Sequence, residues 1–337
     1  MTNVLVTGGA GFIGSNFIRY ILGEHSTIRV INFDKLTYAG NLENLASVAL
    51  DSRYLFVKGD ICERSEVEKA FTEFDVDTVV HFAAESHVDR SILGPAIFIQ
   101  TNVVGTHVLL EVARERGVER FLHVSTDEVY GSLGATGKFT ETTSLHPNSP
   151  YAASKASSDL LALAYHHTFR LPVVVTRCSN NYGPYQFPEK LVPLMIINAL
   201  NDRPLPLYGD GLHVRDWLYV EDHCAAVNAV LCGGAIGDVY NIGGDNEWRN
   251  IDIVRLILHT LQKPESLITF VKDRPGHDRR YAMDASKITA DLGWEPAHTF
   301  KRGIEETIQW YLQNQEWCQR IMTGEYQSYY KKMYEER

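Results

Sequence analysis

Four side chains in this sequence could carry proton chemistry. Asp127 and Glu128 sit in Ser125-Thr126-Asp127-Glu128-Val129-Tyr130-Gly131, and Tyr151 and Lys155 follow about twenty residues on, in Tyr151-Ala152-Ala153-Ser154-Lys155. The i,i+4 spacing puts Tyr151 and Lys155 on one face of a helix. A free phenol, with a pKa of ~10, is a poor base at neutral pH. A neighbouring ammonium and the positive ring of an oxidised nicotinamide favour the phenolate. Tyr151 can then deprotonate an alcohol while a hydride leaves the adjoining carbon. A simple alcohol oxidation needs no paired carboxylates beside that base. An elimination does, because one group removes a proton from carbon while another protonates the departing hydroxyl. Together the four residues read as oxidation, loss of water and reduction in one active site.

The elements that must position them form a regular series. Short runs rich in Val, Ile or aromatics (Val4 to Thr7, Ile28 to Phe33, Tyr54 to Val57, Thr78 to Phe82, Phe121 to Val124, Val173 to Thr176) read as buried parallel strands. Between them, Phe12 to Leu22, Ser65 to Phe74, Ala96 to Arg116 and Tyr151 to Phe169 read as helices. This alternation predicts an α/β fold, a Rossmann-type doubly wound parallel sheet with a smaller C-terminal substrate-binding lobe. Residues 1–180 are expected to form the dinucleotide-binding domain, with parts of the later chain returning to it, and residues 181–337 mainly the substrate lobe. In that second part, Asn180 to Tyr185 reads as turn chemistry and Lys190 to Leu200 as a helix. Pro204 to Gly209 reads as a loop, Val239 to Ile242 as a strand, and Ile251 to Leu261 and Lys301 to about Gln315 as helices. The Tyr- and Lys-rich tail, Tyr326 to Tyr334, reads as a solvated or partly packed terminus.

Gly8-Gly9-Ala10-Gly11-Phe12-Ile13-Gly14 follows the first strand and opens the first helix. Such glycines let the backbone turn tightly against a pyrophosphate, which the helix N-terminus then receives; Gly14 allows close helix–sheet packing. Asp34 ends the second strand at the distance expected for a carboxylate on the adenosine ribose hydroxyls, which favours NAD over NADP, although Lys35 stands beside it. Asp60-Ile61 would lie near the adenine, and Phe82-Ala83-Ala84-Glu85-Ser86 over the pyrophosphate and nicotinamide ribose.

With 337 residues, 45% hydrophobic and 22% charged, the composition is that of an ordinary globular protein. A net charge of −10 argues against a nucleic-acid partner. It leaves room for a phosphate site built from a few local donors such as Lys190, Arg215, Arg274, Arg279 and Arg280. The N-terminus shows no signal-peptide pattern and no run approaches the ~18 apolar residues of a membrane span, so neither secretion nor a membrane partner is expected. Five unclustered cysteines argue against a disulfide framework or a zinc site, and point to a reducing cytoplasm.

These residues resemble the extended short-chain dehydrogenase/reductases and, within them, the dTDP-glucose 4,6-dehydratases. The likeness rests on the glycine run, Phe33 to Asn41, His81 to Ser91, Ser125 to Gly131, Pro150 to Lys155, Asn180 to Pro193, Arg215-Asp216-Trp217 and Asp273 to Asp278, and extends to about residue 315. The resemblance implies that Tyr151 takes the proton from O-4 of the glucose as hydride leaves C-4 for NAD. Glu128 then removes the C-5 hydrogen, Asp127 protonates the departing C-6 hydroxyl, and the hydride returns to C-6. Thr126 would orient O-4, and tightly bound NAD would be regenerated each turnover.

The implied NAD contacts are Gly8, Gly11, Phe12, Ile13, Gly14, Asp34, Lys35, Leu36, Thr37, Asp60, Ile61, Phe82, Ala83, Ala84, Ser86, Thr101, Tyr151, Lys155 and Asn181. The implied nucleotide-sugar contacts are Ser86, Thr126, Asn180, Lys190, Leu191, Pro206, Leu207, Tyr208, Arg215, Asn250, Asp273, Arg274, Pro275, Gly276 and His277. The family also implies a homodimer built on a four-helix bundle, here from Ala96–Arg116 and Tyr151–Phe169 of each subunit, and a place in deoxysugar synthesis, as for rhamnose. A dehydratase of UDP-glucose would use the same machinery, since one methyl group in a pocket is worth only about 1–3 kcal/mol of discrimination. A UDP-sugar 4-epimerase would share the glycine run and Tyr-xxx-Lys but has no use for Asp127 beside Glu128. A non-catalytic NAD-binding regulator would need none of the four.

Overall fold

The computed structural model describes residues 1–322; the segment 326–334 lies outside the described residues. Its strands are β1 (Asn3–Thr7), β2 (Arg29–Asp34), β3 (Tyr54–Lys58), β4 (Thr78–His81), β5 (Arg120–Thr126), β6 (Val173–Cys178), β7 (Asn180–Tyr182), β8 (Leu205–Tyr208), β9 (Val214–Tyr219), β10 (Val239–Ile242), β11 (Glu247–Arg249) and β12 (Ile268–Val271). Its α-helices are α1 (Phe12–Glu24), α2 (Arg64–Phe74), α3 (Val88–Leu93), α4 (Pro95–Phe98), α5 (Thr106–Arg116), α6 (Pro150–Phe169), α7 (Leu191–Leu200), α8 (Val220–Gly233), α9 (Asn250–Thr260), α10 (Ser286–Leu292), α11 (Phe300–Gln313) and α12 (Gln315–Ile321). A wider π turn at Ile99–Gly105 joins α4 to α5.

The main sheet has the order β10-β6-β5-β4-β1-β2-β3, and every pairing in it is parallel. Counted from β3 to β6 this is the 3-2-1-4-5-6 order of a Rossmann fold, whose direction of winding reverses between β1 and β4. Both faces are buried, so the strands alternate between two apolar layers. Val4 and Val6 join Phe17, Ile18 and Ile21 of α1 on one side. Leu5, Ile31 and Phe33 join Val67 of α2 and Leu109 of α5 on the other. A third core gathers Tyr182, Trp217, Ile253 and Phe300 with α7, α9 and α11, away from that sheet.

The structure differs from the sequence reading where pairing is non-local. Val239–Ile242, a strand as expected, is the seventh strand of the main sheet, in register with Val175–Cys178. Helix α8, which the sequence reading does not pick out, packs Cys224, Val227, Val230 and Leu231 into the same layer as α1. Asn180–Tyr182 is a strand paired with Trp217–Tyr219 rather than a turn, and Leu205–Tyr208 is a strand paired with Ile268–Val271 rather than a loop. The run Pro95–Arg116 spans 22 residues, long and apolar enough by length and composition alone to cross a membrane. Gln100-Thr101-Asn102 and Gly105-Thr106-His107 interrupt its apolar residues. Phe98, Leu109, Leu110, Val112 and Ala113 of this run are fully buried in the protein.

Candidate active site

A cavity of about 340 Å3 runs along the carboxyl ends of the main-sheet strands, where open α/β sheets bind ligands. Its adenosine end is shaped by the glycine run. Gly8 has φ +69°, and a Cβ there would come within 2.7 Å of the Ala83 backbone; one on Gly14 would come within 2.3 Å of the Gly8 carbonyl oxygen. The N-terminus of α1 is capped by no side chain, so its amides are available to an anion. The Asp34 carboxylate accepts hydrogen bonds from Ala10 N–H (2.9 Å) and Leu36 N–H (2.8 Å), which fixes its direction on the cavity wall. Lys35 pairs with Asp60 at 2.6 Å, which leaves its ammonium committed rather than free for a 2′-phosphate. These features fit an NAD-type dinucleotide.

Of the sequence-predicted cofactor residues, Leu36 alone is absent from the cavity wall. It adopts φ +57° and forms the turn that aims Asp34.

The proton-transfer groups meet at the other end of the same cavity. Strand β5 stops at Thr126, whose hydroxyl accepts from Glu128 N–H (3.3 Å) and caps a 3-10 turn, Asp127–Tyr130. Ser149 caps α6 by accepting from Ala152 N–H at 3.1 Å. Pro150 opens the helix, so Tyr151 and Lys155 project from its first two turns. Thr126, Asp127, Glu128, Tyr151 and Lys155 all line the cavity. Ser125 Oγ, Asp127 Oδ2, Asn180 Oδ1 and Asn181 Oδ1 are buried on its wall without a hydrogen-bond partner among the described residues. Unmatched buried polar atoms of this kind call for a polar ligand.

The two carboxylates have different electrostatic surroundings. Burial first, then the charge of Glu128, pushes the Asp127 carboxyl well above its ordinary range. Burial also raises Glu128, but Arg274, Lys190 and Arg215 pull it back. Cations thus offset burial more at Glu128 than at Asp127. Tyr151 lies beside them on the cavity wall. Burial and then Glu128 push its phenol well above the usual value, with a hydrogen bond to Thr126 opposing them. Lys155 donates to the Val124 carbonyl at 2.8 Å and does not by itself favour the phenolate.

The predicted nucleotide-sugar residues divide between two places. Ser86, Thr126, Asn180 and Lys190 line the cavity, with Lys190 Nζ donating to Ser86 O at 2.9 Å. The rest lie outside that cavity, on the lobe: Leu191 opens α7, Pro206–Leu207–Tyr208 lie on β8, Arg215 on β9, Asn250 at the start of α9 and Asp273–His277 after β12. Several of these are linked. Tyr208 donates to Asp89 (2.9 Å), Arg274 pairs with Asp89 (3.6 Å), and Asp273 accepts from His277 (2.6 Å). Arg215 stacks over Tyr281 (4.2 Å). The influence of Arg215, Arg274 and Lys190 on Glu128 places this group beside the catalytic turn. Arg279 and Arg280, candidate phosphate donors by sequence, are engaged instead by Asp210 and Glu247 in two-pronged pairs.

The sequence reading overlooked supports that only folding assembles. In the π turn, Asn102 accepts from Glu85 N–H (2.9 Å) and donates to Glu85 O (3.0 Å) and to Ser154 Oγ (2.8 Å), clamping the loop after β4 to α6. Glu189 receives Tyr38 (2.9 Å) and Arg90 (2.9 Å) and closes the cavity's side. Beneath Lys155, Asp159 binds Arg177 (2.8 Å), which donates to Tyr130 (2.9 Å). An Asp one helical turn after a catalytic Lys was the only hint of this last network in the sequence.

A Rossmann sheet carrying a glycine-run dinucleotide site, a helix-borne Tyr-xxx-Lys and a substrate lobe defines an extended short-chain dehydrogenase/reductase. Residues 5–307 match the family model described as GDP-mannose 4,6 dehydratase. The chain is 57% identical to a dTDP-glucose 4,6-dehydratase of Xanthomonas campestris, with 97% of each chain covered, and 52% identical to that of Salmonella typhimurium, with 99% of each covered. The chain belongs to the dTDP-glucose 4,6-dehydratase family. It is also similar in structure to the dTDP-glucose 4,6-dehydratase of Streptomyces venezuelae crystallised with NAD and TDP (TM-score 0.92, 50% identity, 95% of this chain and 100% of that one covered). The likeness extends at 32% identity to a Thermus thermophilus UDP-glucose 4-epimerase in complex with NAD (TM-score 0.86, 93% of this chain and 100% of that one covered).

Proposed function

We propose that this chain converts dTDP-glucose to dTDP-4-keto-6-deoxyglucose and water, with NAD held in the cavity and regenerated within each turnover. The observation that carries this reading is the Asp127–Glu128 pair on the cavity wall beside Tyr151, both carboxyls raised by burial and the rise of Glu128 partly offset by three cations. An epimerase, which shares the fold, has no step for such a pair. The chemistry that bound NAD supplies is hydride uptake from C-4, its return to C-6, and a cationic ring beside Tyr151. Tyr151 takes the O-4 proton, with Thr126 orienting that oxygen. The C-4 ketone acidifies the C-5 hydrogen, Glu128 removes it, and Asp127 gives its proton to the C-6 hydroxyl as that leaves as water. Protonation at C-5 completes the product.

In this reading residues 1–180, with β10 and α8, hold NAD through the contacts named from the sequence, Leu36 acting through the turn that aims Asp34. Residues 181–337 mainly hold the nucleotide sugar. The lobe residues Leu191, Pro206–Tyr208, Arg215, Asn250 and Asp273–His277 bind the nucleotide diphosphate. The enzyme works in the cytoplasm and supplies deoxysugar synthesis, such as that of rhamnose. It is a homodimer through the helices 96–116 and 151–169, whose outward Ile97, Ile99, Val104, Leu160 and Phe169 are exposed in the single chain.

The test is to incubate purified protein separately with dTDP-glucose and UDP-glucose and follow product mass. Loss of one water from dTDP-glucose alone supports the proposal. Loss from UDP-glucose alone moves the nucleotide assignment, and no loss from either overturns it.

A further inference from the structure

Helix α12 lies far from the catalytic turn in sequence and in role, yet it is wired to the adenosine end of the cavity. The buried Trp317 indole N–H donates to Asn44 Oδ1 at 3.0 Å, across 273 residues of chain. The Asn44 side-chain amide donates in turn to Ala10 O at 3.1 Å, and Ala10 N–H donates to Asp34 Oδ2 at 2.9 Å. Ala10 sits inside the glycine run, and Asp34 is the carboxylate placed for the ribose. Asn41 N–H also donates to Ala10 O (2.9 Å), and Arg19 donates to Asn44 O and to Asn16 Oδ1. Every member of the Trp317–Asn44–Ala10–Asp34 series is less than a tenth exposed.

The segment between Asp34 and Asn44 forms one wall of the main cavity through Thr37, Ala39 and Gly40. On its far side a smaller cavity of about 170 Å3 separates it from Trp317, Arg320 and Ile321. Swinging this wall outward to free an adenosine would have to break the Trp317–Asn44 bond and disturb the Ala10–Asp34 bond. We infer that α12 is a clasp: Trp317, through Asn44, holds the wall over the adenosine half of NAD and slows its release. Trp317 and Asn44 are positioning residues and touch neither substrate nor cofactor. The Arg320–Glu43 pair (2.9 Å) at the same junction is exposed and is only a rim contact.

The inference rests on the reading that the cavity holds NAD, and the test separates the two. NAD release from purified holoenzyme is followed by chase with excess unlabelled NAD for the parent, Trp317→Phe, Asn44→Ala, the double variant and Arg320→Gln. Trp317→Phe keeps an aromatic ring but removes the donor, and release should quicken about tenfold, the worth of one buried hydrogen bond. Turnover at saturating NAD should be unchanged, and Arg320→Gln should stay within about twofold of the parent. Because the two residues act through one wire, the double variant should release NAD no faster than Asn44→Ala alone. If Asn44→Ala does not fold, Trp317→Phe decides the matter by itself. Parental release from Trp317→Phe, or accelerations that multiply in the double variant, would overturn the clasp. Failure of the parent to bind NAD at all would overturn the cofactor reading instead.

Discussion

At the scale of single residues, two adjacent carboxylates share a backbone turn and a burial cost but not the same charged neighbours. Burial raises both; Glu128 adds to the rise of Asp127, whereas Arg274, Lys190 and Arg215 offset the rise of Glu128. An environment that pushes two carboxyls apart in this way is what a paired acid and base require. Glu128→Gln should therefore retain NAD yet lose exchange of the C-5 hydrogen with solvent by at least about a hundredfold; normal exchange measured by deuterium incorporation would remove Glu128 from its role. Asp127→Asn has a stability consequence with a definite sign. The native carboxyl titrates above its ordinary value of 3.8, so the folded state binds more protons than the unfolded one and the parent loses stability as pH rises from that value. The variant lacks this loss. Its advantage should grow as the pH is raised from about 4, read as a melting-point gap between variant and parent that widens with pH. A gap between the two melting points that does not change with pH would show that Asp127 is not held neutral.

Elements explain why these residues stay in place. The first turn of α6 presents Tyr151 only because Ser149 accepts from Ala152 N–H and Pro150 pre-sets the helix. Ser149→Ala should cost about 1 kcal/mol and lower kcat several-fold with KM nearly unchanged, since a frayed turn misplaces the base rather than the sugar. A KM effect of equal size would move the role of that turn to substrate binding. The π turn between α4 and α5 works similarly, bending a helix so that Asn102 reaches both Glu85 and Ser154. The helix boundaries of α1, α2, α6 and α7 were legible in the sequence because apolar spacing is a local signal, to which Ser149-Pro150 adds a cap at α6. The π turn was not, because the partners of Asn102 lie 17 and 52 residues away in the chain.

At the scale of the whole molecule, outward apolar residues on the helices 96–116 and 151–169 belong to the proposed homodimer. Leu160, 59% exposed on α6, is the sharpest probe. Leu160→Glu should shift the mass in light scattering from dimer to monomer while leaving the monomer's secondary structure intact. A parent that is already monomeric, or a variant that stays dimeric, would refute the four-helix interface. The same scale holds the Arg177–Asp159 pair, which ties β6 to α6 beneath Lys155.

By itself the sequence determined the parallel sheet, the glycine-run turn and the candidate side chains that line one cavity. Val- and Ile-rich runs, a glycine run after a strand, and Tyr151 four residues before Lys155 are short-range patterns whose physical meaning is complete within a few residues. Tertiary structure alone decided that β10 joins the main sheet, that β7 and β8 are strands, and that Arg279 and Arg280 are spent on Asp210 and Glu247. Each of these depends on partners tens to hundreds of residues away, and on burial, which is set by every element at once. The Trp317–Asn44 bond is the extreme case: neither residue has a reason to be singled out until the fold brings them to 3.0 Å.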